Sequence, residues 1–220
     1  MDLARADGVR GELVLRRRVI DGRDAVELLA GGVLLMDSAD TSTERALATR
    51  ALDALGGARR HVVVGGLGLG YTASALLDDP RVARVTVVEI EPALVAWVRG
   101  GLVPEQAGLL DDVRLEVVVG DVADVVPRMP PGSVDAVLLD VDNGPGFLAH
   151  PANARLYSPA VLSAVAGRLR RPGVLAVWSA GRSAALAETL GSAVGRCTEE
   201  LVTVRREGRD LQYALYVAPR

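Results

Sequence analysis

The stretch VVVGGLGLGYTAS, Val62–Ser74, decides the fold: an apolar run breaks into four glycines within six residues and then resumes at helical spacing. A short apolar run, a glycine loop and a helix form one strand–loop–helix unit. The same rhythm repeats downstream. HVVVGG, RVTVVEIE, VRLEVVVGD, VDAVLLDVD and GVLAVWS read as five strands, and YTASALLDD, PALVAWVRGGL, VADVVPRM and SPAVLSAVAGRLR as the helices between them. Such alternation predicts a parallel sheet covered on both faces, hence an α/β fold. After a further helix, AALAETLGSAV, the run ELVTVRREGRDLQYALYV alternates about Glu207-Gly208 as an antiparallel hairpin.

Upstream of the glycine loop the pattern is different. GELVLRRRVI, AVELLA and GGVLLMD, divided by Asp21-Gly22 and Gly31-Gly32, predict a small antiparallel β unit within residues 1–42. Thr43 to Leu55 reads as a helix that opens on Thr and an acidic residue and stops at Gly56-Gly57, so the main domain is expected over 43–220.

Composition supports this organisation and narrows the function. The chain has 220 residues, half of them hydrophobic but only 3% aromatic, so the core is built from Val, Leu and Ala, as buried parallel sheets are. The net charge of -3 argues against a nucleic-acid or membrane partner, and the arginine clusters (16–18, 59–60 and 168–171) read as solvated faces. A single cysteine, Cys197, and two histidines, His61 and His150, leave no pattern for a disulfide framework or a metal site. The first residues lack the apolar core of a signal peptide and no apolar run is long enough to span a bilayer, so a cytoplasmic location is expected.

Ligands of open α/β sheets sit beyond the carboxyl ends of the strands where strand order reverses, so the loop after the first strand is the expected site. A dinucleotide fingerprint requires a third glycine at the position of Tyr71, and a phosphate-binding P-loop requires a following Gly-Lys-Ser/Thr; neither is present. What remains is Gly66, Gly68 and Gly70, a spacing suited to a ligand with a nucleoside and an amino-acid group but no phosphate. Three carboxylates stand at successive strand ends. Glu89 is placed to accept both ribose hydroxyls, Asp121, with Val122 after it, to bind the base through its exocyclic amine, and Asp140 to face the reacting centre. Asp121 taken alone reads equally as a helix cap.

Together these motifs carry a resemblance. Gly31 to about Ser179 resembles the spermidine synthase family, a branch of the class I S-adenosylmethionine-dependent methyltransferases. The matching segments are VVVGGLGLG (glycine loop), VTVVEIEP (ribose strand), VVVGDVADVV (adenine loop), DAVLLDVD (catalytic strand end) and MDSADTSTER before the first helix. The resemblance implies a Rossmann-like class I methyltransferase fold with seven strands, S-adenosyl-L-methionine or a related sulfonium nucleoside as ligand, and a homodimer contact through the N-terminal β unit.

The departures from the family pattern lie on the acceptor side. Leu69 replaces the glycine-loop Asp that holds an aminopropyl ammonium. The Asp-x-x-Asp-Pro run becomes Asp140-Val-Asp142-Asn143-Gly-Pro, and the acidic and Tyr-His-Glu residues expected after the first-helix start are Ala46, Leu47 and an Arg/Ala/Leu stretch. A buried ammonium needs acidic partners, so these losses argue against a polyamine substrate. The leading expectation is methyl transfer to a small or peptide-like acceptor. Asp140 is the first candidate for base or orienter, with Asp142 a displaced carboxylate beside it. His150 is the second, although it also reads as a locally bonded loop residue. Tyr71 and Phe147 are expected in the pocket wall, Trp97 and Trp178 in the core. Two alternatives are an aminopropyltransferase using decarboxylated S-adenosylmethionine and a non-catalytic nucleoside-binding scaffold.

Overall fold

The computed structural model describes residues 1–206 and 208–220, and among them the chain forms a four-stranded and a seven-stranded sheet. The first is an antiparallel meander of β1 (Asp2–Gly8), β2 (Gly11–Ile20), β3 (Arg23–Ala30) and β4 (Val33–Asp37). Its second and third turns, Asp21-Gly22 and Gly31-Gly32, have positive φ at both central residues, which matches the twist of the flanking strands. β1 was not anticipated. It is an edge strand, paired only with β2 and half exposed, and its sequence DLARADG carries too few β-branched residues to announce itself.

Helix α1 (Ser42–Leu55) leads into the main sheet, β5 (Arg60–Gly65), β6 (Val82–Glu89), β7 (Leu115–Val119), β8 (Val134–Leu139), β9 (Leu169–Ser179), β10 (Thr198–Arg206) and β11 (Arg209–Pro219), ordered β10-β11-β9-β8-β5-β6-β7. β5 to β9 run parallel, and β11 and β10 close one edge antiparallel, as the tail pattern predicts. Of the hairpin's predicted Glu207-Gly208 tip, Glu207 lies outside the described residues.

Successive strand residues face opposite sides, so Val62 and Val64 pack with α1 (Leu47, Leu52), α2 (Tyr71–Leu77) and α3 (Pro92–Arg99). Val63, Val137 and Leu139 pack with α4 (Val122–Arg128), α5 (Pro159–Ala166) and α6 (Ala184–Val194). One boundary differs from expectation: GRLR, read as the end of α5, leaves the helix after Ala166, and Leu169, 1% exposed, pairs with Val134 as the start of β9. The pull of the sheet on this buried leucine outweighs the helical spacing.

Strand order reverses between β5 and β8. Gly66, just beyond β5, has φ +91°, and a Cβ there would lie 2.2 Å from the backbone oxygen of Asp140 just beyond β8. The two loops therefore touch backbone to backbone at the switch point, and only glycine permits it. Gly66→Ala is expected to cost at least about 2 kcal/mol and to lower the melting temperature by several degrees; a variant that melts with the wild type would show that the loops can part.

Candidate active site

A cavity opens at this switch point and brings together Gly66, Gly68, Glu89, Asp121, Val122, Asp140, Asp142 and His150, all from the sequence-based set. The N-terminal sheet roofs it with Leu28, Leu35 and Met36. Gly70 does not line it. Its φ of +94° starts α2, and its α-carbon faces Leu109, 2.6 Å from where a Cβ would stand, so its role is in the turn. Tyr71 is likewise core, 3% exposed, rather than pocket wall. Trp97 packs against the core as expected, whereas Trp178 is both buried and part of the cavity wall.

Glu89 is the most confined of the acids. One carboxylate oxygen accepts from Leu67 N (2.7 Å) and the other from Glu91 N (2.8 Å), leaving on each a lone pair for a further donor. Burial raises its pKa, with these two N–H groups pulling the other way. A carboxylate with two spare lone pairs fits the paired hydroxyls of a ribose. The N–H of Val122, first in α4, finds no acceptor among the described residues and is free for a ring nitrogen of a base. Asp121 is more committed than its position suggested. It caps α4 through Ala123 N (2.9 Å) and takes Arg10 (2.8 Å) and Arg155 (3.0 Å) on its other oxygen, leaving one acceptor site for an exocyclic amine.

Two residues that the sequence reading did not select join this half of the site. Glu91 accepts from Val9 N (2.8 Å) and Arg10 N (2.9 Å), clipping the β1–β2 turn over the cavity, and Arg10 then reaches Asp121. The enclosed volume, about 130 Å³, is below the roughly 300 Å³ at which small-molecule pockets begin, so side chains of this wall must give way to admit a nucleoside.

On the opposite side stand two carboxylates. Asp140 accepts from Thr72 Oγ1 at 2.6 Å on one oxygen and, among the described residues, from nothing on the other, and its removal from water raises its pKa. Glu44 is the second. The sequence suggested a helix-start charge, but the structure buries it, 7% exposed, in the cavity wall, with Thr43 Oγ1 donating to it at 2.8 Å. Burial, and then the charge of Asp140, push its pKa up to about 7. Neither acid has an ion-pair partner among the described residues. Asp142, by contrast, accepts from Asn143 N (2.7 Å), Ala149 N (2.8 Å) and Asn153 Nδ2 (2.7 Å), so it organises the loop and has little capacity left for chemistry. His150 Nδ1 accepts from Ala152 N at 3.2 Å, capping the turn that follows.

The fold and this arrangement define an α/β protein with a cavity at the switch point and an acidic face beside it. The family model described as S-adenosyl-L-methionine-dependent methyltransferase matches residues 94–194. A polyamine aminopropyltransferase of Mycobacterium tuberculosis is 33% identical over 172 residues, 77% of this chain and 31% of that protein. Putrescine N-methyltransferase 1 of Nicotiana tabacum is 29% identical over 152 residues, 66% of this chain and 39% of its own length. This chain thus spans about a third of the curated relatives it matches, and both are transferases by name. A crystal structure of spermidine synthase with the transition-state analogue AdoDATO superposes with a TM-score of 0.83 at 15% identity, covering 99% of this chain and 73% of the other. The spermidine synthase of Thermotoga maritima gives 0.80 at 14%, covering 99% and 72%. The chain is thus similar in sequence to these transferases and has the spermidine synthase-like class I S-adenosylmethionine-dependent methyltransferase fold. No helix among the described residues is long and apolar enough to cross a membrane.

Proposed function

We propose that this chain is an S-adenosylmethionine-dependent methyltransferase acting on the nitrogen of a small amine. The observation that carries the reading is the pair Glu44 and Asp140, two buried acids, each with an oxygen that no other residue's donor reaches and neither offset by a cation among the described residues. Such a pair is unfavourable when empty and is relieved by a bound ammonium. Counting positions against the family pattern argued against a polyamine and left the acceptor open as small or peptide-like, because it passed over Glu44. With Glu44 restored, an amine is the acceptor the site suits, and both named relatives take amines by name.

The bound donor supplies a carbon made electrophilic by its sulfonium, so transfer needs an amine lone pair held in line and a place for the amine's proton. Glu89 and the Val122 N–H hold the nucleoside. Asp140 and Glu44 hold the ammonium, and Glu44, with a pKa near 7, takes its proton as the lone pair is released. The N–C bond forms as the C–S bond breaks, and that electron pair stays on sulfur as a neutral thioether.

Methyl is favoured over aminopropyl because the loop GGLGLG contributes no carboxylate for the isolated ammonium of the decarboxylated donor, and Leu69, where one would stand, is fully buried. Aminopropyl transfer is the second reading, favoured by the mycobacterial relative. Calorimetry with both donors separates them: S-adenosylmethionine is expected to bind at least about tenfold more tightly, and tighter binding of the decarboxylated compound would reverse the assignment.

A further inference from the structure

A second cavity, of about 630 Å³, joins the nucleoside cavity through Leu35, Met36, Glu44, Asn143 and Trp178, which line both. It runs between the N-terminal sheet, the loop carrying Phe147, and the β10–β11 hairpin. At roughly 30 Å³ per water it has room for on the order of twenty waters, far more than a linear diamine displaces.

Its lining is unusual for this chain. The sequence holds one Phe, two Trp and four Tyr, and three of these seven, Phe147, Trp178 and Tyr213, line this groove. Trp178 and Tyr213 stack with ring centroids 5.2 Å apart, and Phe147 is 65% exposed. Past the junction the lining carries Asp21, Asp37 and Asp40 against Arg23, Arg205 and Arg206. Of these acids Asp37 is the buried one and is paired with Arg206, while Asp21 and Asp40 are exposed and Asp40 accepts from Ser42 N at 2.9 Å. A second ammonium far from the reacting nitrogen therefore meets no uncommitted buried acid of the kind Glu44 and Asp140 offer. Trp178 is 8% exposed and its Nε1–H, buried in the wall common to both cavities, has no acceptor among the described residues. An oxygen reaches it as that wall gives way, as it must to admit a nucleoside. A buried donor left unpaired is costly, and a linear polyamine, protonated along its length, brings nothing to accept from it.

We infer that the acceptor is a monoamine on an aromatic or similarly wide apolar body, bearing an oxygen that accepts from Trp178 Nε1, rather than a linear di- or polyamine. This rests on the amine-methylation reading and names the substrate class for it. The amine is held at Glu44 and Asp140, and its body lies along Trp178, Tyr213 and Phe147.

The test compares kcat/KM of the full chain, with S-adenosylmethionine, for putrescine, 2-phenylethylamine and 2-amino-1-phenylethanol. The phenyl amines are expected to exceed putrescine by about tenfold, and the hydroxylated amine to exceed the plain one by about fivefold. Trp178→Phe should bring that hydroxyl preference to about parity. Phe147→Ala, at an exposed position where folding is not at stake, should narrow the phenyl-to-putrescine ratio several-fold. Putrescine as the best of the three, or ratios unmoved by both variants, overturns this inference and leaves amine methylation standing. Methylation of none of the three amines overturns the amine reading itself, and the inference with it.

Discussion

Glu44→Gln is expected to give a protein that is more stable and nearly inactive. The side chain is 7% exposed and its pKa stands at about 7 against an ordinary 4.5, so the folded protein binds a proton there that the unfolded chain releases. Stability from this group is complete below the unfolded value and is lost as pH rises through the folded one, a loss on the order of 2–3 kcal/mol above pH 7. An amide keeps the Thr43 hydroxyl bond and removes the charge. At pH 8 the variant should melt roughly 5 °C above wild type, while at pH 5 the two should nearly coincide. Activity should fall by at least about 10²-fold, the usual worth of a positioned base, and the rising limb of kcat/KM near pH 7 should disappear. Thermal melts at the two pH values and a pH–rate profile check both halves. A variant that loses activity without gaining stability at pH 8 would mean that the acid is not held charged against its surroundings, and the assignment of the acceptor face would fail. Because Glu44 and Asp140 interact, the measured inflection belongs to the pair.

The legible parts of this molecule are those that local pattern determines. Parallel strands announce themselves as Val-rich runs, the loop at Gly66 by its glycines, and Glu89 and Asp140 by standing at strand ends beside a topological reversal. The acceptor face was less legible because burial of one helical residue depends on how the helix is rotated against the sheet. The clue was nevertheless present: Glu44 lies three, four, seven and eleven residues before Leu47, Ala48, Ala51 and Leu55, all buried, and so falls on the stripe that faces inward. An acid on that stripe either disrupts the core or serves a cavity. The β1–β2 turn over the nucleoside side could not be read at all. The clip depends on Glu91 meeting two backbone N–H groups some eighty residues earlier in the chain, a contact with no periodic signature. Asp121 shows the converse case. Its position was legible, but the two arginines that occupy it come from residues 10 and 155, and only tertiary structure reveals how little of the carboxylate they leave.

Removing the carboxylate of Glu89, proposed to hold the ribose, should produce the largest binding defect available at this site. Glu89→Ala deletes both lone pairs proposed to receive the ribose hydroxyls, each hydrogen bond to a charged group being worth about 1.5–3 kcal/mol, so affinity for methylthioadenosine should drop on the order of 10²-fold or more. Methylthioadenosine is the appropriate probe because it carries the nucleoside and sulfur common to both candidate donors and none of the tail on which they differ. The same substitution strips the acceptor from Leu67 N and Glu91 N, which are 2.7 and 2.8 Å from the carboxylate, so the free protein should also melt lower by several degrees. Binding loss and unfolding must therefore be read separately. Calorimetry well below the lowered melting temperature, on protein that still unfolds cooperatively, isolates the first. Glu89→Asp supplies the control. It retains the charge but sits one methylene short, and it should recover part of the stability through one of the two backbone donors while binding the nucleoside poorly, since a ribose diol needs both oxygens at once. Wild-type affinity in a folded Glu89→Ala protein would leave the switch-point cavity without its ribose anchor and would remove the nucleoside from the account of this site.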